Sequence, residues 1–183
     1  MPALKGLHAL RAGGHESIGE PMFDRLLFVY DFNLRHARHL VEGLTPEQCV
    51  AQPGGLVNHP TWTIGHLAVT SSVVLMELGV QPAFPPEWME RFFPGVPISS
   101  QADDYPPFAD LMEQYESVHA RLSEVVPTVT EEILSAEPQM DPVKRRFSAV
   151  GQFVAYAMTA HEGVHLGQIA DVRRALGLVN TDL

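Results

Sequence analysis

His161-Glu162-Gly163-Val164-His165 spells H-E-x-x-H in the last quarter of the chain. Two imidazoles four residues apart stand one turn apart on the same face of a helix, a spacing that suits two ligands of one metal ion. With a glutamate after the first histidine, the same letters are also the helix signature of zinc proteases. A third ligand decides between these uses. After His165 the sequence offers only Asp171 and Asp182 as ligand-type side chains, with no His or Glu. In the longer pattern H-E-x-x-H-x-x-G-x-x-H, Gln168 and Asp171 stand where glycine and histidine should be. A protease also needs a sheet edge for its extended substrate, and no segment alternates like a strand. The zinc-protease match is a coincidence of letters.

The third ligand has to come from another helix, and His66 is the histidine placed for it. It falls four residues after Trp62 and three before Val69, inside an apolar seam. His161 and His165 share a seam with Val154, Met158 and Val172. Buried imidazoles need partners, because desolvation without one costs a few kcal/mol. A metal is one such partner; a backbone carbonyl or a tyrosine is the other. Three histidines on a rigid scaffold leave coordination positions open, as in catalytic rather than structural sites. The remaining histidines fit less well: His36, His39 and His119 fall off the seams, His8 and His15 lie near the N-terminus, and His59 precedes Pro60 in a loop. Glu162 sits about 100° around the helix from His161. It is the one candidate for a catalytic base, but the seam favours a surface position for it.

Four heptad-like seams supply the positioning helices. They run Leu27, Tyr30, Leu34, Ala37, Val41, Leu44; Trp62, His66, Val69, Val73, Met76; Phe108, Leu111, Tyr115, Val118, Leu122, Val125; and Phe147, Val154, Met158, His161, His165, Val172. Pro21 marks the first start, Gly79 and Gly177 the second and fourth ends, and Pro127 follows the third. Thr45-Pro46-Glu47-Gln48 reads as a capped extra turn, and Thr130 as the cap of a short helix to Ala136. The expected fold is all-α, a four-helix bundle with two long crossover connections. Residues 1–20 read as a flexible arm and 21–183 as one domain.

The first crossover, Gln81 to Pro107, has seven prolines and the apolar Trp88, Phe92 and Phe93. These three must be covered. Gly79 lies about 20 Å along the helix from His66 at 1.5 Å per residue, so the expectation is that the crossover shields the bundle or a dimer interface away from the site. The stretch from Asn58 to Thr63 is then expected at the pocket mouth. Asn58, His59, Trp62 and Gln168 are the residues expected to line the pocket or support the ligands.

Composition bounds the partners. Twenty-two acidic against twelve basic residues give a net charge of −10, which disfavours nucleic acid. Lys144-Arg145-Arg146, the one basic cluster, reads as a solvated turn. No apolar run is long enough to span a membrane. A single cysteine, Cys49, suits a cytoplasmic location, and nine histidines exceed what a chain of this size needs. Apolar surface on the first helix or the crossover points to a homodimer.

"NHPTWTIGHLAVT" and "HEGVHLGQIADVRRALG", taken together, resemble the DinB-like superfamily of bacterial four-helix-bundle proteins. The matching positions are Trp62, Gly65-His66-Leu67, His161, His165, Gly167-Gln168-Ile169, Arg173 or Arg174, and Gly177, within a likeness spanning about Phe23 to Gly177. The resemblance implies that His66, His161 and His165 bind a divalent metal, zinc or nickel. It also implies a metal-dependent enzyme acting on a small molecule, by thiol-dependent S-transferase or hydrolase-like chemistry with a low-molecular-weight thiol as cosubstrate. The competing function is a non-catalytic metal-binding bundle with a stress-response or binding role. One departure is Leu166, where many relatives carry a basic residue.

Overall fold

The computed structural model describes residues 19–81 and 84–178, and all regular secondary structure among them is helical. The expected arm therefore lies outside the described residues except for Gly19 and Glu20, which open the first helix.

Four long helices form the bundle: α1 (Gly19–Val41), α3 (Pro60–Glu77), α5 (Phe108–Val125), and a fourth assembled from three consecutive pieces. Between α1 and α3 comes the short α2 (Pro46–Cys49), with the capping box its sequence predicts: Thr45 Oγ1 accepts from Gln48 N, and Gln48 Oε1 from Thr45 N. The crossover carries α4 (Glu87–Phe92), and the second connection carries α6 (Glu131–Ser135) and α7 (Asp141–Lys144). Thr130 caps α6 as expected, its hydroxyl accepting from Ile133 N. Gly79 and Gly177 end their helices with φ of +77° and +73°, values a side chain with a Cβ resists.

The seam of α5 is observed as read, with Leu111, Tyr115, Val118, Leu122 and Val125 all buried. α3 departs from a one-faced helix. It is buried almost all round, with only Met76 clearly exposed. One side packs on α5 and on the C-terminal part of the fourth helix, the other is covered by α4 from the crossover. The expectation that the crossover stays away from the site is corrected here. Distance along the helix was the wrong measure, because the chain folds back over α3. The eight steps from Gly79 to Glu87 can span about 26 Å at about 3.3 Å each, more than the roughly 20 Å back to the level of Gly65 and His66.

The fourth helix also departs from a plain heptad. α8 (Val150–Tyr156) runs into one π-helical turn (Ala157–His161) and on into α9 (Glu162–Ala175). A π turn accommodates one extra residue, so the downstream face is rotated by about 100° relative to an unbroken α-helix. Side-chain donors meet carbonyls in and just before it: Thr159 Oγ1 bonds Ala155 O of α8 at 2.6 Å, and Asn33 Nδ2 reaches Met158 O and Thr159 O of the turn at 3.4 Å. The buried line becomes Met158, Glu162, Leu166 and Ile169.

Candidate metal centre

His66, His161 and His165 converge. One ring nitrogen from each lies within 4.8 Å of the others, and no other such group of three occurs among the described residues. His66 Nε2 and His161 Nε2 are 3.1 Å apart. Two nitrogens that share one ion at about 2.0–2.1 Å stand roughly 2.9–3.4 Å apart at octahedral to tetrahedral angles, so this spacing is already that of co-ligands.

The surroundings set the tautomers. Phe92, the last residue of α4, turns its carbonyl to His66, whose Nδ1–H donates to it at 2.8 Å. A helix-end carbonyl without an intrahelical partner is thereby satisfied, and the Nε2 lone pair of His66 is left free to face the other rings. His165 Nδ1 donates to Gln168 Oε1 at 2.8 Å, and Asn58 Nδ2 donates to the same oxygen at 2.9 Å. The Trp62 indole stacks on His66 with centroids 4.7 Å apart and planes 7° from parallel. Two rings are thus held in tautomers that point Nε2 at the cluster. His161 Nδ1 is buried with no hydrogen-bond partner.

Electrostatics keep the cluster neutral. Burial lowers the pKa of His66 to about 4, helped by His165. Burial lowers His161 to about 3, with repulsion from His165, His66 and Arg146 adding to it. His165 is also lowered by burial, against the hydrogen bond to Gln168. Three neutral imidazoles at pH 7 carry no positive charge to repel a cation, and such nitrogens suit zinc, nickel and neighbouring divalent ions.

Gly65 permits this arrangement. A Cβ there would lie 2.4 Å from the Phe92 ring, itself fully buried. Gly65→Ala is expected to push α4 off α3, lowering stability by about 1–3 kcal/mol as overpacking does. It should also weaken the Phe92 carbonyl's hold on His66. Thermal melting and zinc affinity measured together would check this; an unchanged melting point would mean that the ring moves aside freely.

The other sequence candidates divide. Asn58, Trp62 and Gln168 support the histidines. His59 caps α3 instead: its Nδ1 accepts from Trp62 N at 3.1 Å, and its Nε2–H donates to Ser99 O at 2.8 Å, so it ties the crossover to the bundle. Asn58 to Thr63 does not form the mouth of the cavity. That opening lies on the other side of His66, where a cavity of about 520 Å³ is bounded by Phe93 and Pro94 of the crossover, by Arg145, Arg146 and Phe147, and by Tyr156 and His161. The crossover and the second connection thus build the mouth that was expected of the 58–63 stretch.

Glu162 is not a surface acid. It is 1% exposed, and Tyr115 Oη donates to its Oε1 at 2.9 Å. Burial lifts its pKa to about 8, against the lowering effect of that hydrogen bond, and Oε2 has no partner. The π turn explains the difference, since the rotation carries Glu162 inward toward α5. Glu162 does not line the cavity, and neither does any other carboxylate among the described residues. His119, another histidine off the seams, is buried too. It stacks on Tyr30 at 3.5 Å and bonds the Tyr30 carbonyl at 3.0 Å, away from the cluster. Cys49 is buried, its thiol pushed up to about 11 by burial, which leaves it unsuited to nucleophilic use.

A family model for the DinB superfamily matches residues 30–169, a span that holds all three histidines. The chain belongs to the DinB superfamily. No curated protein matches it. Among solved structures this DinB-superfamily chain is similar to YfiT from Bacillus subtilis, described as a probable metal-dependent hydrolase with an unusual four-helix bundle topology. The TM-score is 0.65 with 14% identity, covering 91% of this chain and 94% of that one. The likeness establishes the four-helix-bundle fold for this member of the superfamily.

Proposed function

We propose that this protein is a divalent-metal-dependent enzyme that acts on a small molecule by hydrolase-type chemistry, with His66, His161 and His165 as the ligands. The observation that carries the proposal is the convergence of three neutral imidazoles, two of them with their tautomers fixed, beside a cavity large enough for a small organic molecule. A bound divalent ion would supply Lewis-acid activation of a water or a thiol at neutral pH. The chain's own groups do the positioning: Phe92 O and Gln168 orient His66 and His165, and His66 and His161 face the cavity. The description of YfiT supports hydrolysis over S-transfer.

Elemental analysis of protein purified without a metal-affinity column tests the ligand set, with about one zinc or nickel per chain expected. Metal-replete and chelated protein should then be compared on a panel of carboxylic esters, amides and phosphate esters, and in thiol-transfer assays with glutathione, mycothiol and bacillithiol. Metal-dependent turnover in the first panel is the expected result. Turnover confined to the thiol assays would assign the transferase chemistry instead, and a tightly held metal without turnover in either would favour a non-catalytic bundle.

A further inference from the structure

Two arginines stand at the rim of the cavity without a carboxylate partner among the described residues. Arg145 and Arg146 follow α7, are exposed to solvent, and make no ion pair or side-chain hydrogen bond among the described residues. Arg35, Arg38, Arg121 and Arg174, also exposed, each meet a carboxylate; Arg145 and Arg146 do not. Among the described residues no carboxylate lines the cavity. The rim of a protein of net charge −10 is therefore locally cationic.

The segment that carries them is held in place. Glu77, a buried carboxylate at the end of α3, accepts from Gln139 N and Met140 N at 2.8 Å each. Backbone bonds from Arg145 N to Asp141 O and from Arg146 N to Val143 O close the turn. The cationic rim is thus attached to the same helix that carries His66. Between the arginines and His161 the wall is apolar and aromatic, with Phe93, Phe147, Phe153 and Tyr156.

We infer that the cavity binds a small amphiphilic anion, with a carboxylate or phosphate group on Arg145 and Arg146 and an apolar body along Phe93, Phe147 and Tyr156. This rests on the proposed function only in placing the reacting end of the molecule at His161; the anion subsite itself needs no metal. Guanidinium groups pair with planar oxyanions in charge-assisted hydrogen bonds, which are about twice as strong as neutral ones. The apolar wall between them gives the body of the ligand somewhere to leave water.

The probes are 4-phenylbutyrate, phenethyl phosphate and the neutral 4-phenylbutyramide, titrated calorimetrically into metal-replete and chelated protein. Both anions are expected to bind at least about tenfold more tightly than the amide, with the preference shrinking as salt rises. The preference should persist in chelated protein and in His161→Ala, and disappear in R145Q/R146Q. A stronger response to the phosphate or to the carboxylate identifies which oxyanion the rim prefers. Arg121→Gln, a surface control, should change nothing. Because both rim residues are exposed, melting should show the double variant folded; if it does not, the two single variants carry the same comparison.

A preference that survives in R145Q/R146Q but vanishes on chelation would place the anion on the metal and overturn the inference, as would equal binding of anions and amide by the unaltered protein. Should the protein hold no metal at all, the proposed function fails while the anion preference of the chelated form still stands or falls by itself.

Discussion

His161→Ala is expected to abolish tight zinc binding, a larger loss than any supporting residue can produce. Removing a partner behind a ligand lowers metal affinity by about 10–100-fold, and Gln168→Ala, which releases His165 Nδ1, should fall in that range. Removing a ligand outright should exceed it. His161 is the cleanest of the three to replace. His66 is 4% exposed and stacked on Trp62, so its truncation opens a cavity in the core. His161 is only partly buried, and its Nδ1 has no hydrogen bond to lose. Competition against a chromophoric chelator reads both affinities, and circular dichroism confirms the fold. A zinc affinity for His161→Ala within threefold of the unaltered protein would falsify the ligand assignment. Equal losses for His161→Ala and Gln168→Ala would mean that the metal, if bound, is held elsewhere.

The parts of this site that the sequence reveals are those governed by local periodicity. Trp62, His66 and Val69 fall on one turn-spaced line, and so do His161 and His165, which is why the three histidines that converge could be nominated before any fold was known. The α5 seam and the caps at Thr45 and Thr130 were legible for the same reason: each depends on neighbours within four residues. What was illegible depends on contacts between distant segments. Phe92 returns to Gly65 through a proline-rich stretch whose path no periodicity encodes, although a glycine beside His66 in a buried helix was a signal that another chain approaches closely there. Arg145 and Arg146 have the composition of a solvated turn and are solvated; only the fold reveals that they edge the cavity. Glu162 was misplaced because a π turn has no local sequence signature and rotates everything after it. Thr159, whose hydroxyl takes the Ala155 carbonyl, is the nearest thing to a hint.

That buried carboxylate and the neutral histidines together set a pH profile for the metal-free protein. Six histidines have pKa values in the fold below the ordinary 6.5: His66 and His119 fall to about 4, His161 to about 3, and His165, His59 and His36 are also lowered, all chiefly by burial. Below pH 6.5 the unfolded chain therefore binds more protons than the folded one, and stability falls as pH is lowered toward 4. One full proton is about 1.36 kcal/mol per pH unit, so several histidines acting together should remove on the order of 5 kcal/mol, enough to unfold many domains of this size. Glu162 acts in the opposite sense. Its folded pKa of about 8 lies above the ordinary 4.5, so between those values the folded state holds the extra proton and stability falls as pH rises. Below pH 6.5 the histidines outweigh it. From 6.5 to 8 it acts alone, and the loss should approach about 2 kcal/mol. Chelated protein is thus expected to melt highest near pH 6.5, with a steep acid limb and a shallow alkaline one. Glu162→Gln keeps an acceptor for the Tyr115 hydroxyl and removes the ionisation, so it should flatten the alkaline limb and steepen the acid limb between pH 6.5 and 4.5, where Glu162 no longer offsets the histidines. Melting curves from pH 4 to 9 in the presence of chelator measure both limbs. An alkaline limb that persists in Glu162→Gln would show that another group titrates there, and an acid limb absent from the unaltered protein would mean that the histidines are not neutral in the fold.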